Sequence, residues 1–534
     1  MPTPTTDATV RRRRVCARVL ATLALLASAA LGTGCDEGGG KRPPNVVLVV
    51  IDTARADHFS CYGYERETTP RIDAFARQDA VLYRDARSAA PWTLPSHASL
   101  FTGLWPGEHG MNWTHWISPE VSLKKGLHRS PDLPDPDRLI AKRLAARGYR
   151  TFGLSNNSWV SERSGLDDGF EIFVDAFRDT KSLPKGYADW PSEWKVPQPL
   201  QTSSAGRTIA LAKREIANVG PNEPFFLFFN FIEPHFPYQP PKPFRGRFGG
   251  TDAMYERQAR ELDDREREIM IGAVSVDTEE MRVAYDEELA TVDRAVGHLV
   301  DWLREIGRYD DTLVVVTSDH GEHLGEGGRW SHQLSVEREL LWVPLIVKYP
   351  HGEGAGTVVD DRMVSNVDVW STILRVAGAD TSGADPHRSR DLRDATPRDW
   401  FLSEYDYSDF FLEELVALDP RFDPSPYRTI SRVVFEDGDR LDFDRTTWRS
   451  TRAAVPGRSP VEHDPAPFEK MLSTYQDEID AIEFRYRSGK YDPATLENLA
   501  ELGYISRPKP DDEGSDRSEG EGSGDSGGTS GGGR

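Results

Sequence analysis

From Asn45 onward the chain alternates solidly apolar runs with amphipathic stretches. The runs at 46–51, 151–154, 225–232, 313–317 and 345–349 are almost continuously apolar, the pattern of strands buried on both faces. Between them the spacing predicts helices over 72–78, 95–102, 138–147, 203–219 and 281–306. In the last of these, Tyr285, Leu289, Val292, Val296, Leu299 and Leu303 recur every three or four residues and form one apolar stripe. Strands and helices in alternation predict an α/β fold with a mostly parallel central sheet.

Around residues 380–400 the pattern turns polar and the alternation stops. A hairpin is predicted over 432–443, with its turn at Asp437-Gly438, and a helix over 467–487. These suit a smaller C-terminal α+β region. Residues 507–534 are Gly, Ser, Asp and Glu with almost nothing apolar, a composition that does not fold. At the other end, Arg11–Arg14 precede an apolar stretch over 15–31, then Gly34-Cys35. This reads as a secretory signal, too short for a comfortable membrane span. Cys35 resembles the lipid acceptor of bacterial lipoproteins, although Leu31 lies four residues before it where the usual pattern has leucine three before. Simple cleavage is the alternative, and the arginine run leaves twin-arginine export open. The expected division is a signal segment 1–35, a linker 36–44, a catalytic domain 45–385, the α+β region 386–506 and an acidic tail 507–534. An exported protein of the bacterial cell envelope or periplasm, lipid-anchored at Cys35, follows from this reading.

Charge and cysteine content narrow the classes. With 65 basic and 87 acidic residues the net charge is −22, which argues against a nucleic-acid partner. Once the leader is removed, Cys61 alone is certain to remain in the globular part. A disulfide framework and a thiolate metal cluster are thereby excluded.

The chemistry concentrates where apolar runs end. Asp52 closes the first run, and a charge there needs a partner. Asp319-His320 follow the 313–317 run in the same way, and adjacent ligands on one turn can converge on one ion. Thr93-Leu94-Pro95-Ser96-His97 places a hydroxyl at a helix start. Two strand ends carrying metal-ligand side chains, plus that hydroxyl, are the parts of a metal-assisted ester hydrolase. Oxygen, oxygen and nitrogen ligands suit one divalent ion, Zn, Mn or Ca. The plainer alternatives are a turn-capping carboxylate, a turn aspartate beside a surface histidine, and an N-cap threonine.

In order and spacing, these residues resemble the sulfatase branch of the alkaline-phosphatase superfamily. The likeness runs from Asn45 to Gly378. Its motifs include Ile51-Asp52-Thr53-Ala54-Arg55-Ala56-Asp57-His58, Cys61-Tyr62-Gly63, Trp92-Thr93-Leu94-Pro95-Ser96-His97, Glu233-Pro234-His235-Phe236-Pro237, Ser318-Asp319-His320-Gly321-Glu322 and Val343-Pro344-Leu345. Glu497-Asn498-Leu499 and the residues to Tyr504 resemble the closing segment of bacterial members. The resemblance implies an alkaline-phosphatase-like sandwich with Asp52, Thr93, Asp319 and His320 around the metal. Thr93 stands where sulfatases carry the cysteine or serine that becomes formylglycine, so no formylglycine is expected. Threonine there resembles the nucleophile of phosphodiesterase and phospholipid-headgroup transferase relatives. A helix N-terminus and a metal would both favour its oxyanion.

Other departures agree. The signature arginine is His97, the second aspartate of the usual pair is Thr53, and the sulfate-holding lysine and histidine would fall near Asn156 and Ser158. His235 matches the family histidine at the transferred group, and His332 falls near the leaving-group lysine. Either could be a general acid. Arg55, Asp57 and His58 are expected to form salt bridges beneath the site. Trp92, Trp105, Trp113 and Trp116 are expected mainly as packing around Thr93. The substrate is a sulfate or phosphate ester of a small molecule, glycan or lipid, with phosphoester chemistry slightly favoured. The competing class is a non-catalytic lipoprotein binding anionic glycans or lipids.

Overall fold

The computed structural model describes residues 42–501 apart from 113–126, 180–182, 263–264, 399, 408, 429, 436–439, 445–449, 454–465, 484 and 491. Cys35, Trp113, Trp116, the Asp437-Gly438 turn and the 507–534 tail lie outside the described residues.

Eight strands build the central sheet, in the order Val358–Ser365, Val81–Arg87, Trp342–Lys348, Thr312–Ser318, Asn45–Ile51, Phe225–Phe231, Arg150–Ser155 and Ile172–Asp175. Trp342–Lys348 runs antiparallel to both neighbours. The other pairings are parallel. The apolar runs are continuous because both faces are covered. Val46, Leu48 and Val50 enter one core, while Val47, Val49 and Ile51 enter the other. Leu313 and Val315 divide from Val314 and Val316 in the same manner.

Helices Thr93–Thr102, Ile140–Ala146 and Asp368–Ala377 cover the first face. Pro70–Gln78, Ser204–Ile216 and Thr278–Glu305 cover the second. The predicted stripe from Leu289 to Leu303 lies in that second core. Asp277 caps the long helix by accepting from the amides of Glu279 and Glu280. Helix Thr93–Thr102 opens two residues before the predicted start, because a proline in a first turn forfeits no helical hydrogen bond. The expected 138–147 helix is split: Pro136–Arg138 forms a 3-10 turn, and extended Leu139 precedes Ile140–Ala146.

After the central sheet, Trp400–Tyr405, Ile430–Phe435, Arg440–Asp444 and Ser450–Ala453 form a second, antiparallel sheet. The predicted hairpin is its middle pair. Phe401, Leu402 and Tyr405 join the first core, and the Glu404 amide donates to Ala89 C=O at 2.9 Å. The 467–487 helix is corrected. It ends at Asp480, and Tyr486–Lys490 instead pairs antiparallel with Leu127–Pro131. Gly489 is a poor helix former, and the ladder satisfies backbone groups that a frayed helix end would leave open.

Candidate active site

Parallel strands bring their carboxyl ends to one rim, and the site is built there. Asn45–Ile51 delivers Asp52, Thr312–Ser318 delivers Asp319 and His320, Phe225–Phe231 carries Asn230, and Arg150–Ser155 leads to Asn157. Thr93 enters from the first core's side as the first residue of its helix. All of these side chains are buried.

Asp52 Oδ2 accepts hydrogen bonds from Asn157 Nδ2 at 3.0 Å and Asn230 Nδ2 at 3.1 Å. Its Oδ1 has no hydrogen-bond partner among the described residues. Asp319 is arranged in the same way. Its Oδ1 accepts from the amides of His320 (2.9 Å) and Thr53 (3.2 Å), while Oδ2 is left without a hydrogen-bond partner among the described residues. His320 Nδ1 donates to Gly321 C=O at 2.9 Å, which leaves Nε2 to face Asp319 Oδ2 at 3.4 Å and Asp52 Oδ1 at 3.8 Å. One ligand atom from each of Asp52, Asp319 and His320 lies within 4.8 Å of the others.

Two buried, open carboxylate oxygens facing each other repel, and burial discourages their charge. Burial and the Asp52 charge push the Asp319 carboxyl well above the usual carboxylate range. Burial also opposes ionisation of Asp52, but His235, His320, His97 and the Asn230 hydrogen bond reverse that and hold it low. A divalent cation among the orphaned oxygens and the imidazole nitrogen would relieve this conflict. The donor set therefore fits the metal that the resemblance implies.

Thr93 Oγ1 lies 3.4 Å from His320 Nε2 and 3.3 Å from Asn157 Nδ2. His97 Nδ1 donates to Thr93 C=O at 2.9 Å and sits 3.4 Å from Asp319 Oδ2. Burial lowers the His97 pKa, against the pull of the Asp52 charge. The rings of His235 and His332 are 4.9 Å apart, and His332 packs 4.6 Å from the ring of His320. His235 Nδ1 donates to Phe236 C=O at 2.5 Å. The residues singled out from the sequence, Asp52, Thr93, His97, His235, Asp319, His320 and His332, thus gather in one buried cluster.

Asn157, Asn230 and Glu322 also belong here and were not foreseen. The position expected to bear on the site lay near Asn156 and Ser158, yet Asn157 between them is the one that reaches it. Asn156 turns away to Thr208 Oγ1 at 2.8 Å. Asn498, in the closing motif, accepts from the Ser158 amide at 3.1 Å and braces that turn. Thr53 adopts a left-handed φ of 54°, strained for a β-branched residue. Its amide is held by Asp319 and its C=O accepts from Tyr285 Oη at 2.8 Å. Arg55 forms the expected bridges, to Asp57 at 2.9 Å and Glu326 at 2.8 Å, and His58 pairs with Asp286 at 2.7 Å. Trp92 and Trp105 are buried packing residues.

Known proteins resemble most of this chain. The multifunctional alkaline phosphatase superfamily protein PehA of Trinickia caryophylli is 25% identical over 69% of this chain and 82% of its own. An arylsulfatase of Clostridium perfringens is 24% identical over 68% of this chain and 82% of its own. Among solved structures, a phosphonate monoester hydrolase from Silicibacter pomeroyi superposes with a TM-score of 0.52 at 22% identity, covering 82% of this chain and 94% of that one. A 2-O GAG sulfatase does so with a TM-score of 0.56 at 16% identity, covering 85% and 96%. The fold is thus that of the sulfatase and alkaline-phosphatase group. The sulfatase family model matches residues 44–379, and the chain belongs to the sulfatase family of ester hydrolases.

Proposed function

We propose that this chain is a divalent-metal-dependent hydrolase of phosphate or sulfate esters with Thr93 as its nucleophile, phosphoesters being favoured. The observation that carries the reading is the position of Thr93 Oγ1, at a helix N-terminus and 3.4 Å from the imidazole of the Asp52, Asp319 and His320 cluster. Asp52, Asp319 and His320 would hold the ion, with Thr93 beside them. When bound, the ion would supply Lewis-acid polarisation of the ester and favour the ionised hydroxyl.

The chain's own groups account for the rest. The helix N-terminus and the Asn157 amide favour negative charge on Thr93 Oγ1 as it attacks phosphorus. The Thr93 hydroxyl first loses its proton to water; the new bond then joins Oγ1 to phosphorus, the bond to the leaving oxygen breaks, and His332 or His235 gives that oxygen its proton. Water then opens the phospho-threonine and returns a proton to the same histidine. Sulfate remains the second substrate class, because relatives of similar identity include an arylsulfatase. A threonine ester cannot expel sulfate by collapsing to an aldehyde, which is why phosphorus is favoured. The leader further supports export to the bacterial envelope with Cys35 lipidated. Among the described residues no helix is long and apolar enough to cross a membrane.

The test offers an aryl phosphodiester and an aryl sulfate, with Mn, Zn or Ca, to wild type and Thr93→Ala. Phosphodiester turnover is expected to fall by about 10³-fold or more in the variant. Turnover of sulfate alone, or turnover indifferent to Thr93, would overturn the assignment.

A further inference from the structure

A cavity of about 590 Å³ opens on the second-core side of the sheet and shares no residue with the site above. Its walls come from the start of helix Pro70–Gln78, the middle of helix Thr278–Glu305 and the loop around 243–247. Arg71, Arg245, Arg247 and Arg294 line it, against a single carboxylate, Asp293. In a chain of net charge −22 this local balance is inverted. Two of the four guanidiniums are already engaged. Arg71 bridges to Asp301, while Arg245 donates to Pro240 C=O at 2.9 Å and lies 3.7 Å from Asp252. Arg247 and Arg294 are exposed and have no carboxylate partner among the described residues. Asp293 compensates them weakly. Its Oδ1 accepts from the amides of Arg71 and Ile72, both at 2.8 Å, and burial pushes its carboxyl up to about 7. The loop carrying Arg245 and Arg247 is held in place from beneath. Fully buried Glu287 accepts from the amides of Gly246 (2.8 Å), Phe248 (2.9 Å) and Gly250 (3.1 Å).

We propose that this cavity is a second binding site, separate from catalysis, which takes the phosphate or sulfate group of a small organic ester with Arg247 and Arg294 as its principal anion contacts. A guanidinium offers a fixed fork of donors that matches two oxygens of a tetrahedral oxyanion, and two uncompensated forks suit a doubly charged group. A loop already pinned by Glu287 loses little freedom when the anion arrives. Pro199 and Pro243 supply apolar wall for the organic part, and the volume lies in the range of small-molecule pockets. The anion binds intact, with no bond made or broken there. Its distance from the chemistry follows from one helix. Tyr285 touches Thr53 beside the Asp52 cluster, and Arg294 lies further along the same helix, roughly 14 Å on at 1.5 Å per residue.

The experiment titrates the full-length chain calorimetrically with phenylphosphonate and with inorganic phosphate at low ionic strength. Phenylphosphonate stands in for the ester, because an ester hydrolase leaves its carbon–phosphorus bond intact. The double variant Arg247→Gln/Arg294→Gln is expected to weaken one equivalent of phenylphosphonate binding by about tenfold or more. Arg260→Gln/Arg421→Gln removes the same two charges from exposed positions elsewhere and is expected to stay within about twofold of wild type. Neither arginine of the cavity touches the Asp52 cluster, so the difference reads the cavity whether or not anions also bind at the active site. Arg294→Gln alone, which breaks no ion pair or hydrogen bond among the described residues, is expected to lose about threefold or more and serves if the double variant does not fold. Binding that is equal in wild type and the cavity variants, or lost equally in both double variants, overturns the proposal. Phenylphosphonate is expected to bind more tightly than inorganic phosphate. The reverse order overturns the role given to the apolar wall and assigns the cavity to the free ion.

Discussion

His109 shows how firmly one buried residue can be committed to a single state. Its Nδ1 accepts the Met111 amide at 3.1 Å, so Nε2 must carry the proton that bonds Ser99 Oγ at 3.0 Å. Burial drives its pKa down to about 3. The folded chain therefore keeps His109 neutral, while the unfolded chain takes up a proton near the ordinary histidine value of about 6.5. Stability from this residue is complete above that value and is lost as pH falls toward 3, at up to about 1.4 kcal/mol per pH unit. His109→Gln should flatten this part of the acid limb in urea titrations run between pH 4 and 7. Parallel curves for the two proteins would show that His109 titrates as it does in water. At this scale the sequence was informative where chemistry is scarce. Asp52 and Asp319 stand out because a carboxylate that ends an apolar strand must be answered by something. Asn157 and Asn230 gave no such signal, since an amide near a strand end is ordinary loop chemistry. Glu266 lies in a polar segment whose pattern says nothing of Ser331, the residue it holds.

Helix Thr93–Thr102 is the element on which the site depends, and its end is as constrained as its start. Gly103 terminates it with a φ of 69°, and a Cβ there would lie 2.9 Å from the Trp370 ring. Strained backbone and overpacking act together at that point. Gly103→Ala is expected to destabilise the fold by about 2–4 kcal/mol, read as a lower urea midpoint at unchanged slope. An unchanged midpoint would mean that Trp370 moves freely. Among the strands, those anticipated are the interior ones, whose two covered faces demand unbroken apolar runs. Val358–Ser365 and Ile172–Asp175 escaped notice because they form the two edges of the sheet and carry fewer buried side chains. Val81–Arg87 sits one place inside an edge, and Arg84, Asp85 and Arg87 mask its pattern. The helix predicted over 467–487 overran for a related reason: pairing with Leu127–Pro131 is a long-range event that local periodicity does not report.

For the whole molecule, the repulsion between Asp52 and Asp319 would make a bound cation a structural as well as a chemical asset. Ligand that binds only the folded state stabilises it by mass action, by about 2.7 kcal/mol at a hundredfold excess over Kd. Chelation with EDTA should therefore lower the melting temperature by several degrees, on the order of 5 °C, and the effective metal should restore it. A melting curve indifferent to chelator would leave the paired carboxylates to be neutralised by protons alone. The α/β class and the rim location were legible from the run-and-helix alternation and from motif order. The antiparallel strand Trp342–Lys348 was not, because a buried strand carries no mark of its direction.

The central position of Asn45–Ile51 bears on how the protein is made. Its neighbours are Phe225–Phe231 and Thr312–Ser318, and 266 positions separate Thr53 from the carboxylate that holds its amide. Asp52 leaves the ribosome early and waits for most of the catalytic region before Asp319 and His320 exist. A cation held by this cluster would consequently be captured late, from whatever ions surround the finished chain. A chain threaded across the membrane unfolded would draw on the ions outside, and one folded beforehand would carry a cytoplasmic ion with it. Any metal found in freshly purified protein would in that sense record the compartment in which the chain folded.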